Sequence, residues 1–206
     1  MDGTLIDSAA VHFQSWVEAL AIEGYALTHD NFAAYFGRRN DDIIRAYLGP
    51  QTSAATIDRI SLDKEERYRA VIRRDGITFL PGVERWLKRL ADSGWMQAVA
   101  TSAPRLNVEA ILEVAGGASC FAAISAAEDV AVSKPDPAVF LLAAERLGVP
   151  PQRCIVVEDA PAGIEGARRA GMRSVGICGL HQVQGDVTVR SLEELSDDAF
   201  DRLLAP

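Results

Sequence analysis

The distribution of hydrophobic residues divides the chain near residue 80. Before that point, apolar residues recur every three or four positions between glycine and proline stops, which is the pattern of amphipathic helices. We expect Ser8 and Asp30 to cap the first two of these helices. The pattern predicts four helices in this part of the chain, approximately Ser8–Gly24, Asp30–Phe36, Asp41–Leu48 and Ser53–Arg74.

From residue 81 onward, short apolar runs alternate with amphipathic stretches. Helices are predicted to start at Pro81-Gly82, Pro104, Pro137 and Pro161, and strands are predicted at Met96–Ala100, Phe121–Ile124, Ile155–Val157, Ser174–Ile177 and Val187–Val189. Such alternation is typical of a parallel sheet that is covered by helices on both faces. Functional groups in such sheets gather at the carboxyl ends of the strands.

Charge and composition narrow the classes of partner. The net charge of −8 over 206 residues argues against a nucleic-acid surface and, more weakly, against an anionic membrane surface. No apolar run approaches the length of a membrane span, and the first residues lack the features of a secretion signal. Cys120, Cys154 and Cys178 form no zinc-type pair, which favours free thiols in a reducing cytoplasm. We expect a monomer.

Four short motifs occur in a fixed order along the chain. They are Asp2-Gly3-Thr4, Thr101-Ser102, Lys134-Pro135 and Glu158-Asp159, and the last is followed by Ala-Pro-Ala-Gly-Ile. Each motif alone has an ordinary structural interpretation, such as a turn, a loop, a surface lysine or an acidic helix start. Two of them directly follow predicted strands, so their order and placement together indicate a catalytic site.

This set resembles the haloacid dehalogenase superfamily, whose first motif reads D-x-D-G-T. The acidic motif and the residues after it resemble the branch that contains sugar-phosphate phosphatases and beta-phosphoglucomutases. The resemblance implies an α/β fold, with a Rossmann-like doubly wound parallel sheet as its core and a small inserted α-helical cap. The core would comprise residues 1–8 and 81–206, and the cap residues 9–80.

The same resemblance implies the chemistry of the site. An aspartate attacks the phosphoester and forms an aspartyl-phosphate intermediate, while a second acid protonates the leaving oxygen and activates water. By resemblance Asp2 is that second acid, and Thr101 and Lys134 hold the transferring phosphoryl group. Mg²⁺ would be bound by Glu158, Asp159 and the backbone carbonyl of Asp2.

The sequence departs from the family pattern at its start. The nucleophile would stand immediately before Met1, at the end of a buried central strand that the chain as given does not contain. Four or five buried aliphatic residues would contribute roughly 1.5–3 kcal/mol each, which together is comparable to the net stability of a domain, about 5–15 kcal/mol. We therefore expect the natural start to lie upstream of Met1.

Four residues are candidates for substrate binding. The resemblance to beta-phosphoglucomutases points to His12, which is followed by Phe13 on the cap-entry helix, to Arg38 in a cap loop and to Lys64. Ser102 follows Thr101 at the end of a predicted strand. Each has an alternative interpretation: a structural histidine, a solvated loop arginine, one charge of a solvated helix face and a common loop residue.

Several functions stay open at this point. Hydrolysis of a small sugar or polyol phosphate is the favoured function. A beta-phosphoglucomutase activity is weakened by Ala103-Pro104, because the mutases carry polar and cationic residues there. A non-catalytic sugar-phosphate binder would fit the lack of a nucleophile, but a binder has no need of Asp2. A true dehalogenase would lack that acid and use no metal.

Overall fold

The computed structural model describes residues 1–205. Its α-helices are α1 Ala9–Ala21, α2 His29–Tyr35, α3 Asn40–Leu48, α4 Ala54–Asp75, α5 Val83–Asp92, α6 Arg105–Ala115, α7 Ala138–Leu147, α8 Pro161–Arg169 and α9 Ala199–Leu203. Its strands are β1 Ala98–Ala100, β2 Ala123–Ser125, β3 Ile155–Glu158, β4 Arg173–Ile177 and β5 Val187–Val189. The predicted α/β fold with parallel strands is confirmed.

The strands form two parallel sheets. β1 pairs with β2, with Val99 opposite Ile124, and β3 pairs with β4, which pairs with β5. The sequence pattern predicts one parallel sheet. The described strands instead form two sheets, because β1 and β3 do not pair with each other. The gap between these two strands is a cavity of about 740 Å³, lined by side chains from both sheets and from the helices that cover them.

The helices that precede residue 80 build a core of their own. Their buried residues include Trp16, Leu20, Phe32, Ile44 and Ile60. The second half of α4 belongs instead to a different cluster, because Tyr68 and Ile72 pack with Ile6, Val99 and Val108. α4 therefore connects the helical segment to the strands, and the division into a cap of residues 9–80 and a core stays a prediction.

Local details differ from the sequence pattern at several points. Thr28, and not Asp30, caps α2, since its hydroxyl oxygen accepts a hydrogen bond from the amide of Asn31 at 3.2 Å. Ser8 precedes α1, but its side chain makes no capping bond. The helix α9 and the short 3₁₀ turns between other elements carry too few apolar repeats to be predicted. In residues 1–205 no helix is both long and apolar enough to span a membrane.

Candidate functional site

Asp2 lies in the tight turn that precedes α1, and its carboxylate is bound by three donors. The hydroxyl of Ser8 donates to Oδ1 at 2.5 Å, Nε2 of His12 lies 3.1 Å away, and the hydroxyl of Tyr68 donates at 3.3 Å. Among the described residues all of these side-chain contacts fall on Oδ1, so Oδ2 is the oxygen available to a substrate.

The ionised form of Asp2 is favoured by these neighbours. Burial by itself would raise the pKa of the carboxyl group. The His12 ring, the charged amino group of Met1 and the Ser8 hydroxyl outweigh it and hold the pKa well below its usual range. Asp2 is therefore a carboxylate at neutral pH. A carboxylate with one free oxygen is a suitable base for a bound water molecule.

The tautomer of His12 follows from its contact with Lys64. Nζ of Lys64 lies 2.8 Å from Nδ1 of His12, and an ammonium group can only donate. Nδ1 is then the acceptor, so we assign the ring proton to Nε2, which donates to Asp2. The ring of His12 also stacks on Tyr68 with 4.0 Å between centroids, which fixes its plane.

Lys64 belongs to a buried polar network on α4. Its ammonium donates to Oε1 of Glu65 at 2.8 Å, and the other carboxylate oxygen of Glu65 accepts from the side chain of Asn107 on α6 at 2.5 Å. Asn40, at the start of α3, also donates to Glu65 at 2.8 Å. Burial lowers the pKa of Lys64 although Glu65 opposes this effect. Glu65 thus connects α3, α4 and α6 beside the site.

A second group of charges lies at the carboxyl end of β3. Lys134 donates to Oε2 of Glu158 at 2.7 Å, and Thr4 donates to Oδ1 of Asp159 at 3.0 Å. Burial opposes ionisation of Glu158, but Lys134 outweighs it and keeps the pKa of this carboxyl below its usual range. Burial, together with the negative charge of Glu158, raises the pKa of Asp159 to about 7. This pair holds more negative charge than one lysine neutralises.

Two glycines allow the backbone to approach these carboxylates. Gly3 has φ of +68°, and a β-carbon there would lie 2.1 Å from Oδ2 of Asp159. Gly163 on α8 is equally confined, because a β-carbon would lie 2.1 Å from the carboxyl carbon of Glu158. The glycine of the first motif is therefore required both by the turn and by the contact with Asp159.

The donor set of this acidic pair suits a hard cation. Within residues 1–205 no group of three or more His, Cys, Asp or Glu side chains is arranged to hold a metal ion. Mg²⁺ is usually bound through one or two carboxylates, with water and substrate phosphate completing the shell. Glu158 and Asp159 supply two carboxylates without a nitrogen or sulfur donor, which fits Mg²⁺ better than Zn²⁺.

Thr101 directly follows β1. Its amide donates to the carbonyl of Ser125, and its hydroxyl oxygen accepts from the amide of Ala103 at 3.1 Å. Because the hydroxyl oxygen is an acceptor in this contact, its own proton is free to point toward an anion. Ser102 lies beside it in the same turn and is partly buried.

The helical segment covers this edge and contacts the loop that carries Lys134. The guanidinium of Arg39 donates to the carbonyl of Val130 at 3.0 Å, and Ser133 donates to the carboxylate of Asp42 at 2.8 Å. Arg38 lies with its guanidinium carbon 5.3 Å from the ring centroid of Tyr35. The cleft beneath has a volume of about 60 Å³, which holds about two water molecules.

Every residue for which the sequence predicts a catalytic, metal-binding or substrate-binding role lines this cleft. They are Asp2, His12, Arg38, Lys64, Thr101, Ser102, Lys134, Glu158 and Asp159. Their roles stay predictions, but their convergence from seven separate places in the chain is a property of the fold.

Sequence reasoning missed residues that support the site. Ser8 was predicted to be a helix cap, and it binds Asp2 instead, because a short hydroxyl side chain suits both roles. Thr4, Tyr68, Glu65 and Asn107 were not singled out. Thr4 is part of the first motif, two residues after Asp2 in the sequence, and this position could have marked it as a residue of the site.

The amino-acid sequence is similar to those of known proteins. Residues 1–171 match the family of haloacid dehalogenase-like hydrolases. The chain is 33% identical over 184 residues to the protein CbbY of Rhodobacter capsulatus, covering 85% of this chain and 81% of the relative. It is also 33% identical over 180 residues to the fructose-1-phosphate phosphatase YqaB of Escherichia coli, covering 86% of this chain and 93% of that enzyme.

The fold is shared with solved structures. A beta-phosphoglucomutase from Clostridium difficile superimposes with a TM-score of 0.88 at 26% identity, covering 98% of this chain and 93% of that one. The family match spans both the helical segment and the strands β1 to β3 with their motifs. The chain therefore belongs to the haloacid dehalogenase-like hydrolase family.

Proposed function

We propose that this protein is a Mg²⁺-dependent phosphatase that hydrolyses a small sugar or polyol phosphate through an aspartyl-phosphate intermediate. The observation that carries the proposal is one cleft in which the ionised Asp2 faces the Glu158–Asp159 pair and Lys134. The fructose-1-phosphate phosphatase among the relatives supports the substrate class. The free cysteines favour the cytoplasm, and we propose a monomer.

The roles of the residues follow from their contacts. Thr101 directs a free hydroxyl proton, and Lys134 an ammonium group, toward the transferring phosphoryl oxygens. Asp2 uses Oδ2 to deprotonate the attacking water in the second half of the reaction. In the first half it must carry a proton to the leaving oxygen. The negative charge of an incoming phosphate raises the pKa of Asp2 and favours that protonated form.

The nucleophile belongs, in this proposal, to the position immediately before Met1. A carboxylate there attacks phosphorus while the bond to the leaving sugar oxygen breaks, and that oxygen takes the proton of Asp2. Water then attacks the aspartyl phosphate, Asp2 takes its proton, and inorganic phosphate leaves with the carboxylate restored. Met1 lines the cleft beside Asp2 and Asp159, which supports this position.

A divalent cation fits the same arrangement. Glu158, Asp159 and the backbone carbonyl of Asp2 would hold Mg²⁺. When bound, the cation supplies positive charge that offsets the repulsion between the carboxylates and the phosphate. The proximity of the two buried carboxylates, together with the raised pKa of Asp159, supports this assignment.

The far part of the substrate would contact residues of the cover. His12 and Lys64 lie on the helical side of the cleft, and Arg38 provides a planar guanidinium that suits phosphate or sugar hydroxyls. Ser102 would add a hydroxyl from the opposite edge. Residues 9–80 would then act as a cap domain whose opening admits the substrate.

The test is phosphate release from a panel of sugar phosphates that includes fructose 1-phosphate, with and without Mg²⁺. The assay compares the 206-residue chain with a chain extended by its upstream codons, called here the extended chain. We expect turnover in the extended chain alone. Asp2→Asn should reduce kcat at least about 100-fold, as for loss of a general acid or base. Asp7→Asn alters an exposed carboxylate of the same turn region and should leave kcat unchanged.

A beta-phosphoglucomutase activity is the second candidate, favoured by the similarity to the solved mutase and by the cationic cover residues. Formation of glucose 1,6-bisphosphate from beta-glucose 1-phosphate by the extended chain would establish it. If the extended chain binds sugar phosphates without turning any over, the protein is a binder and both enzymatic proposals fail.

A further inference from the structure

Lys134 lies on a loop that has few hydrogen bonds of its own. The loop comprises residues 130–137 between β2 and α7, and it is called here the Lys134 loop. The ammonium of Lys134 donates to Glu158 at 2.7 Å. Among the described residues, the backbone that precedes Lys134 makes one hydrogen bond within the loop, in which the carbonyl of Ser133 accepts from the amide of Asp136 at 3.0 Å. The position of this backbone therefore depends on contacts outside the loop.

Two hydrogen bonds to the start of α3 supply these contacts. The guanidinium of Arg39 donates to the carbonyl of Val130 at 3.0 Å. The hydroxyl of Ser133 donates to the carboxylate of Asp42 at 2.8 Å, and this contact is called here the Asp42–Ser133 tether. Each bond joins residues that are 91 positions apart in the sequence. Because Ser133 directly precedes Lys134, the tether holds the residue that adjoins the lysine.

The turn of α3 that makes these bonds is itself well anchored. Arg39 is the N-cap of α3 and Asp42 lies three positions later, so both side chains project from the same side of the helix start. Ile44, two residues after Asp42, is fully buried in the core of the helical segment. Asn40, in the same turn, donates to the buried Glu65 at 2.8 Å. The start of α3 thus offers the Lys134 loop a rigid attachment.

We propose that Asp42 and Ser133 are positioning residues, which place Lys134 for its contact with the transferring phosphoryl group. This inference rests on the proposed function, which assigns that contact to Lys134. Neither Asp42 nor Ser133 lines the cleft, so both act through the lysine and not on the substrate.

The tether also connects the two ends of the proposed substrate site. Arg38, a candidate substrate residue, directly precedes the N-cap residue Arg39. A substrate that contacts Arg38 therefore binds beside the turn of α3 that holds the Lys134 loop. In the proposed function residues 9–80 form a cap that opens, and Lys134 is then held in this position only while the cap is closed.

The first test measures kcat of the extended chain with sugar phosphates. Ser133→Ala and Asp42→Ala should each lower kcat roughly tenfold, as for loss of a hydrogen bond to a charged group. The double variant should lose no more than either single variant, because both substitutions remove the same bond. Ser133→Thr keeps the hydroxyl and should keep kcat. Asp30→Ala, which removes an exposed acid from the first turn of α2, is the matched control and should leave kcat unchanged.

A background without the lysine separates positioning from a purely structural role. In the Lys134→Met extended chain, Ser133→Ala should cause no further loss of kcat, because the residue that it positions is absent. A loss that comes from the fold would instead appear in both backgrounds and would accompany a lower midpoint of urea unfolding. Equal losses with and without Lys134 would overturn the proposal.

The second test uses the 206-residue chain and needs no activity. The amide of Asp136 should exchange its hydrogen several-fold faster in Ser133→Ala and in Asp42→Ala, because its acceptor lies on the released loop. Asp30→Ala should not change this rate. If exchange is faster but the extended chain releases no phosphate from any sugar phosphate, the tether stands and the phosphatase proposal fails. If exchange is unchanged while the extended chain hydrolyses sugar phosphates, the positioning proposal fails alone.

Discussion

Nζ of Lys64 lies 2.8 Å from Nδ1 of His12, and the opposite nitrogen of that ring lies 3.1 Å from Asp2. A buried cation is therefore linked to the proposed acid–base residue through one imidazole. Glu65 holds the cation, and Asn107 of α6 holds Glu65. The protonation of Asp2 thus depends on how α4 packs against α1 and α6.

The link from Lys64 through His12 to Asp2 predicts two separable effects of Lys64→Met in the extended chain. Removing Lys64 leaves Glu65 buried without its ion-pair partner, so we expect a loss of about 3 kcal/mol or more in the free energy of unfolding. The loss of a nearby cation should also raise the pKa of Asp2. Because the first half of the proposed reaction needs protonated Asp2, the alkaline limb of the pH profile of kcat/KM should move to higher pH.

The matched variant is the double substitution Lys64→Met/Glu65→Gln. It removes both buried charges, so urea unfolding should show most of the stability restored while the pH profile stays displaced. Lys88→Met, which breaks an exposed ion pair with Asp92, should change neither quantity appreciably. If the double variant had the wild-type pH profile, Lys64 would contribute to stability only and would not affect the pKa of Asp2.

Gly3→Ala should impair activity more than its cost in stability explains. A non-glycine residue at positive φ costs on the order of 1–3 kcal/mol, and at Gly3 the added carbon also displaces Asp159. Gly24→Ala is the matched control, because Gly24 has φ of +76° with no atom within 4 Å of the added carbon. We expect both variants to lose unfolding free energy in urea, Gly3→Ala more than Gly24→Ala because of the added contact with Asp159. At least about a tenfold loss of kcat/KM is expected for Gly3→Ala alone. Equal kcat/KM values in the two variants would refute the contact argument.

Thr4→Val should weaken Mg²⁺ binding, because it removes the hydroxyl that orients Oδ1 of Asp159. Loss of a hydrogen bond to a metal ligand typically costs about 10-fold in affinity or more. Thr4→Ser keeps the hydroxyl and should bind Mg²⁺ as the unmodified chain does. Isothermal titration with Mg²⁺ measures both, and equal affinities for the valine and serine variants would exclude this role of Thr4.

The stability of the protein should decrease in acid partly through Asp129. A side-chain hydrogen bond from Arg146 and the amide of Ala126 lower the pKa of Asp129 to about 2. The unfolded chain has a pKa of about 3.9 at an aspartate. The contribution of Asp129 is therefore complete above about pH 4 and is lost as the pH falls through about 2.

Asp129→Asn should consequently lower the free energy of unfolding by about 1 kcal/mol at pH 6, after allowance for solvent screening. The difference from the unmodified chain should shrink at pH 3. Asp58→Asn, at an exposed position on α4, should give no such pH-dependent difference. Urea unfolding at the two pH values checks this, and a constant difference would show that Asp129 acts without its charge.

The convergence of the motifs in one cleft could be predicted from the sequence, because functional groups in parallel sheets generally gather at the carboxyl ends of the strands. Thr101 follows β1, and Glu158-Asp159 stand at the carboxyl end of β3. The carboxyl ends of parallel strands meet at one edge of a sheet. Their convergence could therefore be expected without coordinates. Ser8 shows where this reasoning stops: a serine before a helix suggests a cap, but its hydroxyl is used by Asp2, six residues away in sequence.

Glu65 is a second residue whose contacts could not be predicted from the sequence. In the sequence it is one of several charges on α4 between Asp63 and Arg67, which is the pattern of a solvated face. In the structure it is 5% exposed and bound to Asn107, because this turn of α4 packs against α6. No local signal distinguishes it from Glu66, the next residue, since burial depends on which helix face meets a neighbour.

The sequence by itself determined the alternation of helices and strands, the order of the motifs and the resemblance to a phosphatase branch, because periodicity, caps and turns are properties of neighbouring residues. The tertiary structure decided which oxygen of Asp2 is free, which side chain each nitrogen of the His12 ring contacts, and that a cavity separates β1 from β3. These features arise from contacts between residues far apart in the chain, such as Thr4 with Asp159, and the packing of whole helices selects among them.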